Sequence, residues 1–176
     1  ALLERADAGG YLAFSDQDDV WLPDKLERAA DWLDARDQTK PLLFHGAYAM
    51  ADERLSRVRD VLPPDPPFSF ARALTENVCS GFSMVVNGSM RETMLAFDRN
   101  ALDFHDWLAA AIATGFGEAR FDTRVTALHR RLDSSVTADR AFKGWKWALD
   151  ALGRDTNMKK RNLAFSAAYA GRLCAR

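Results

Sequence analysis

The apolar and polar positions of the chain fall into a few readable periods. Residues 1–8 carry Leu2, Leu3 and Ala6 in a pattern that reads as the end of a helix, closed by Gly9 and Gly10. The apolar run over 11–14 predicts a strand. Residues 23–36 set Leu26, Ala29, Ala30 and Leu33 at helical spacing and predict an amphipathic helix. Residues 41–50 are apolar and strand-like, with a turn at 51–53. Prolines 63, 64, 66 and 67 exclude helix and inner strand, because each removes an amide donor and fixes φ. The segment 61–67 is therefore a stiff surface loop, either bordering a cleft or merely connecting. A short helix over 68–77, a strand over 82–87 and a helix running to about residue 114 come next, the last closed by Gly115 and Gly117. Residues 119–122 and 124–128 read as two short strands or one bent one. Beyond 138, Phe142, Trp145, Leu149 and Leu152 and then Leu163, Phe165, Tyr169 and Leu173 form two apolar stripes, predicting two helices split near Gly153.

Composition narrows the class. A chain of 176 residues, 48% apolar and 28% charged, has the size and make-up of one globular domain with a substantial core. Its net charge of −1 argues against a nucleic-acid binder. Cys79 and Cys174 are too few and too far apart for a disulfide framework or a zinc site, and Cys79 reads as a small buried apolar residue. No signal peptide and no apolar run of transmembrane length is visible, so a cytoplasmic protein is expected. From Arg140 onward nine basic side chains face two acidic ones, giving a tail of +7. Two placements suit that tail: packed back on the domain, or lying as a basic amphipathic pair on an anionic membrane surface.

The densest chemistry is in FSDQDDVW, residues 14–21, where a strand runs into three carboxylates, Asp16, Asp18 and Asp19. In extended backbone Asp16 and Asp18 project to one side. Two such carboxylates repel unless a cation lies between them, and oxygen ligands of this kind suit Mg²⁺ or Mn²⁺ shared with substrate phosphates. The plain reading is a solvated acidic turn, with Asp24 capping the next helix. At Asp106 the alternatives are similar: Asp103 or Asp106 as a helix cap, or Asp106 as a chemical group.

The stretch YLAFSDQDDVWLPDKL, 11–26, resembles the DxD segment of family 2 glycosyltransferases of the GT-A fold. It is most similar to the rhamnosyltransferase-like branch, whose segment reads FSDQDDxWxxxKL. The run VCSGFSMVVN, 78–87, is similar to that family's glycine-containing segment before a strand ending in Asn. His105-Asp106-Trp107 looks like its HDW motif. The resemblance covers residues 1 to about 137 and weakens after 129, where HRRLDSS stands in place of YRxHxxN.

What the resemblance implies is specific. The fold would be α/β, the C-terminal portion of a GT-A (Rossmann-like) mixed sheet flanked by helices over 1–137, with a helical tail over 138–176. Asp16 and Asp18 would hold a divalent cation, Mg²⁺ or Mn²⁺, and the sugar nucleotide. Asp19 and Trp21 would line the same pocket, and Ser80 and Gly81 would let backbone approach the donor sugar. Asp106 would be the general base that deprotonates an acceptor hydroxyl, with His105 and Trp107 orienting it and packing beneath the acceptor. Arg130 or Arg131 would contact phosphate. His129 stands in place of the family's Tyr and Leu132 in place of its later His, so that His129, Arg130 or water would have to substitute for the missing histidine. The expected activity is inverting, metal-dependent transfer of a sugar, rhamnose by the branch, from a nucleotide-sugar donor to a saccharide or lipid-linked saccharide acceptor in surface polysaccharide assembly. The βα units that precede the DxD strand in that fold have no counterpart here. The expectation is therefore a fragment beginning inside the domain and inactive alone. The rival readings are a non-catalytic divalent-cation or saccharide-binding module, and a membrane-surface interaction domain in which the aspartates are only caps.

Overall fold

A computed structural model of the chain describes residues 2–6, 9–62, 69–74, 76–77, 79–97 and 104–130. All lie in the first of the two units into which the chain divides, Ala1–Arg130. The expectations for the prolines at 63–67, for Asp103, for the segment after 130, for the boundary at 137 and for the basic tail lie outside the described residues.

In chain order the elements are α1 (Leu2–Arg5), β1 (Leu12–Ala13), β2 (Val20–Trp21), α2 (Lys25–Asp34), β3 (Leu42–Ala51), β4 (Arg57–Val61), α3 (Phe70–Ala73), a 3₁₀ turn (Gly81–Ser83), β5 (Met84–Val86), α4 (Gly88–Leu95), α5 (His105–Phe116) and β6 (Glu118–Arg130). The strands form one mixed sheet in the order β1-β5-β3-β6-β2, with β4 paired to β3. This is the expected α/β class, a mixed sheet flanked by helices. No described helix is long and apolar enough to cross a membrane.

β3 organises the sheet. It is almost wholly buried, as a strand covered on both faces should be, and its near-continuous apolar run is the reason. One edge pairs with β6 in parallel along its whole length. The other pairs antiparallel, first with β5 over Leu43–His45 and then with β4 over Tyr48–Ala51. β6 is one strand with an irregularity where Asp122 faces Gly46 and Val125 faces Ala47, so of the two alternatives the single bent strand holds. A second shift follows between Ala47 and Tyr48, so residues 123, 124 and 126 are the extra ones that bend it.

α2 lays Ala29 and Leu33 on Leu42, Phe44 and Val85, with Trp32 and Ala13 at the margin. Its buried face differs from the expected stripe in one respect. Leu26 is 48% exposed, while Lys25 is fully buried with Ala29 and Leu33. These three recur every four residues, so they share a face. Asp24 does stand at the N-cap position of α2, but its side chain caps nothing; it lies 3.8 Å from Arg28 instead. Arg28 also pairs with buried Asp122, joining α2 to β6. α5 buries every residue from Leu108 to Ala113. Gly117 ends it, and a Cβ there would run into the Pro41 carbonyl.

β2, β4 and α4 are additions to the expected elements, and the expected helix at 68–77 shortens to α3. Asn87 caps α4 by accepting from the Met90 amide at 3.0 Å, and the same oxygen accepts from the Leu42 amide at 3.0 Å. One side chain thus fixes the β5–α4 corner against the start of β3.

Candidate functional site

The chain folds the acidic turn and the start of α5 toward each other. β1 ends at Ala13, and Phe14 packs its ring on His105 with centroids 4.7 Å apart. Asp16 follows two residues later, exposed, between β1 and β2. Its carboxyl is held above the usual carboxylate range, first by desolvation and then by the charges of Asp19 and Asp18, while His129 and His105 pull it back. Both imidazoles therefore lie within electrostatic reach of Asp16. Repulsion within the acidic turn is the condition that a divalent cation relieves.

Asp19 plays a different part from its two neighbours. Its side chain is closed to solvent. Oδ1 lies 2.8 Å from His129 Nδ1 and accepts the Arg130 amide at 3.2 Å. Oδ2 is buried with no partner among the described residues. His129 stacks on Phe82, with centroids 4.9 Å apart and planes within 7°. Through Asp19 the imidazole is drawn to the acidic turn, and its pKa is raised, chiefly by that hydrogen bond. Arg130 reaches the site by its backbone; its side-chain Nε is buried and has no partner among the described residues.

Trp21 lies under a cation. The ammonium of Lys25 stands 4.2 Å from the centre of the indole ring and donates to the Phe82 carbonyl. Burial holds the Lys25 pKa down at about 8, against a smaller opposing pull from Asp19. Lys25 belongs to this neighbourhood, and the sequence reading passed over it. The signal was present in its spacing of four from Ala29 and eight from Leu33, both core residues.

Around Gly81 the backbone comes close to His105. A Cβ on Gly81 would stand 2.6 Å from His105 Nε2, so the imidazole occupies the space that glycine leaves open. The Ser80 amide donates to His45 Nε2 at 3.2 Å, and the Ser80 carbonyl accepts the Ser83 hydroxyl at 2.8 Å. Cys79 is buried, as expected, and its thiol is pushed up by burial and then by the charge of Asp106.

At the start of α5, Phe104 holds the N-cap position without a side-chain cap. Asp106 lies in the first turn, where its Oδ1 accepts from the Trp107 amide at 2.8 Å. Trp107 turns its indole N–H to the Ala73 carbonyl at the end of α3. It is half-buried there and braces α5.

Asp16, Asp19, His105 and His129 thus form one electrostatic neighbourhood, with Gly81 against His105. Asp106 lies beside it, next in sequence to His105 and within electrostatic reach of Cys79. A cavity of about 360 Å³ lined by Gly10, Tyr11, Asp34, Gln38, Gly88 and Ser89 lies elsewhere, at the far end of α2, about 15 Å along the helix from Lys25. Among the described residues no three His, Cys, Asp or Glu side chains form a ready cation site. No protein-family model matches the chain, and no curated protein matches it.

Proposed function

We propose that the chain carries the cation-binding and acceptor side of an inverting GT-A glycosyltransferase of family 2, similar to rhamnosyltransferases. The observation that carries the reading is the meeting of Phe14 and His105. It draws the end of the acidic strand to the start of the helix that bears Asp106.

The residues suit the implied cation. Asp16 and Asp18 supply two carboxylates, and the pKa of Asp16, raised first by desolvation and then by the charges of Asp19 and Asp18, would be lowered by a positive charge. Mg²⁺ and Mn²⁺ commonly take one or two carboxylates from the protein and the rest from phosphate and water, so two aspartates suffice when a nucleotide sugar is the substrate. Bound there, the cation would supply charge stabilisation for a departing diphosphate. His129 and Lys25, both drawn by the charge of Asp19, would supply positive charge to that diphosphate.

Asp106 is the base in this reading. A sugar hydroxyl is a weak nucleophile, and a carboxylate that takes its proton as it attacks lowers the barrier. The hydrogen bond from the Trp107 amide orients that carboxylate, and Trp107 is itself anchored on Ala73. Gly81 brings its backbone against the His105 ring, so a donor sugar would meet that ring at this loop. The acceptor is a saccharide, free or lipid-linked.

Two measurements on protein from the complete reading frame test the proposal. Mn²⁺ should broaden NMR signals of the acidic turn and of His105, and Asp16→Asn with Asp18→Asn should abolish the effect. Asp106→Asn keeps the acceptor oxygen for Trp107 but not the basicity. It should lower transfer from a nucleotide-rhamnose, or another nucleotide sugar that the protein uses, by about 10²–10⁴-fold, with Mn²⁺ binding unchanged. Full transfer by Asp106→Asn, or Mn²⁺ broadening that ignores both aspartates, would refute the proposal.

A further inference from the structure

Two buried basic side chains converge on one short stretch of backbone. Lys25 Nζ donates to the carbonyl of Phe82, and His45 Nε2 accepts from the amide of Ser80. Between those two groups sits Gly81, whose bare Cα faces His105. We infer that Lys25 and His45 are positioning residues that clamp loop 80–82 from beneath, so that its backbone sets the place of His105 beside the acidic turn.

Neither residue is a natural choice for stability. Lys25 and His45 are 0% and 2% exposed. Burial disfavours the charged form of each, and depresses both pKa values. Because the Ser80 N–H must donate, His45 Nε2 carries the lone pair and Nδ1 carries the proton. That Nδ1–H is buried and reaches no other described residue, only the backbone of His45 itself. A buried donor so poorly satisfied is costly and calls for an explanation. An apolar pair of similar volume would pack the same space without these costs. What it would not supply is a donor for one loop group and an acceptor for the other.

The contacts then form a closed circuit. Lys25 opens the helix that follows the acidic turn, and it grips Phe82. Loop 80–82 presses on His105, and His105 packs on Phe14, which leads back into the turn. A shift of the loop therefore moves the backbone against which His105 sits. It also moves the Phe82 ring on which His129 stacks. The consequence for sugar transfer rests on the glycosyltransferase reading above; the clamp itself does not.

The test reads the hydrogen bonds first. In ¹⁵N-labelled wild-type protein, a scalar coupling across Ser80 N–H and His45 Nε2, with His45 as the Nδ1–H tautomer, is the expected result. Its absence, or the opposite tautomer, overturns the clamp without any variant having to fold. His45→Leu and Lys25→Met should then speed exchange of the Ser80 and Ser83 amides by about tenfold, with β3 and α4 amides unchanged. His45→Gln, whose side-chain oxygen can accept from Ser80, should restore the slow exchange. Unaltered exchange in His45→Leu, or no recovery in His45→Gln, overturns the clamp. The two failures are distinguishable. Intact coupling with no Mn²⁺ broadening at the acidic turn supports the clamp and sinks only the glycosyltransferase reading.

Discussion

His129 Nδ1 lies 2.8 Å from Asp19 Oδ1 across 110 residues of sequence. The pair joins the end of the last described strand to the acidic turn, and it divides the three aspartates by task. Asp19 is spent inside the protein, on an imidazole and a backbone amide. Asp16 is exposed and Asp18 half-buried. A turn that looks like one acidic patch in sequence is an internal strut beside the remaining pair.

The strut has a signature in pH. His129 is held above its ordinary value of 6.5, first by its hydrogen bond to Asp19, with burial opposing and the acidic charges adding to the rise. A histidine raised in this way contributes stability that is fully present below about pH 6.5 and fades as pH rises through the folded value. Asp19→Asn keeps the shape and removes the charge. His129 should then titrate lower, and the loss of stability with rising pH in that window should flatten. Imidazole NMR titration and urea unfolding at several pH values check both. An unchanged titration in Asp19→Asn contradicts the assignment.

Two glycines make opposite predictions for the same substitution. At Gly117 an added Cβ would meet the Pro41 carbonyl, which is backbone at the start of β3 and cannot swing aside. Gly117→Ala should cost about 1–3 kcal/mol or more by overpacking. At Gly81 the obstacle is His105 Nε2 at 2.6 Å, the end of a side chain that can rotate. Gly81→Ala should cost less and should displace the His105 ring from Phe14. Denaturant midpoints separate the two, and ring-current shifts on His105 detect the movement. Equal losses of stability would remove the distinction.

How far the sequence foretold this depended on which force decides each element. The strand–turn–helix at 11–34 and the buried strand at 42–51 were legible, because apolar period and turn chemistry agree there. So was the helix of α5, from an apolar run closed by glycine. β4 was not, since Arg57, Arg59 and Asp60 alternate poorly with Val58, which is 67% exposed on an edge strand. α4 was missed because only Met90, Arg91 and Met94 are buried along it; its one clear signal was Asn87 as a cap. Lys25 and His45 were overlooked as partners of the site for a different reason. A charge in an amphipathic pattern reads as solvent face, and only tertiary contacts reveal which charges are inside. The motif residues of the acidic turn, of 80–81 and of 105–107 stand out by resemblance alone; periodicity leaves them as caps and loops.

His45 should mark the acid side of the stability curve. Burial, and then the charge on Lys25, hold its pKa down at about 4 against an ordinary 6.5. Between those values the unfolded chain takes up a proton that the folded chain refuses, so stability falls as pH falls through the window. The loss attributable to this residue is on the order of 3 kcal/mol. Comparing urea unfolding of wild type with His45→Gln from pH 7 to about pH 4 isolates it from the carboxylates, which both proteins share. Parallel curves would show that His45 is not the group responsible.

Asp16 should show that the remaining pair is held at a cost to the fold. Its pKa is raised by desolvation, then by Asp19 and Asp18. The sign follows directly: a carboxyl raised in the folded state is penalised when ionised, so at neutral pH its charge weakens the native structure. Asp16 is exposed, so solvent screening reduces the penalty to tenths of a kcal/mol. In EDTA, Asp16→Asn should therefore melt at or slightly above the wild-type temperature, an unusual result for a substitution, since most destabilise. With Mn²⁺ the order should reverse. Wild type gains stability by binding, as any ligand selective for the native state must produce, whereas Asp16→Asn gains little. Thermal scans of both proteins in EDTA and across a Mn²⁺ series measure all four states. A wild-type protein whose melting temperature ignores Mn²⁺ would remove the cation from the site. A marked loss of stability for Asp16→Asn in EDTA would make Asp16 a structural aspartate instead.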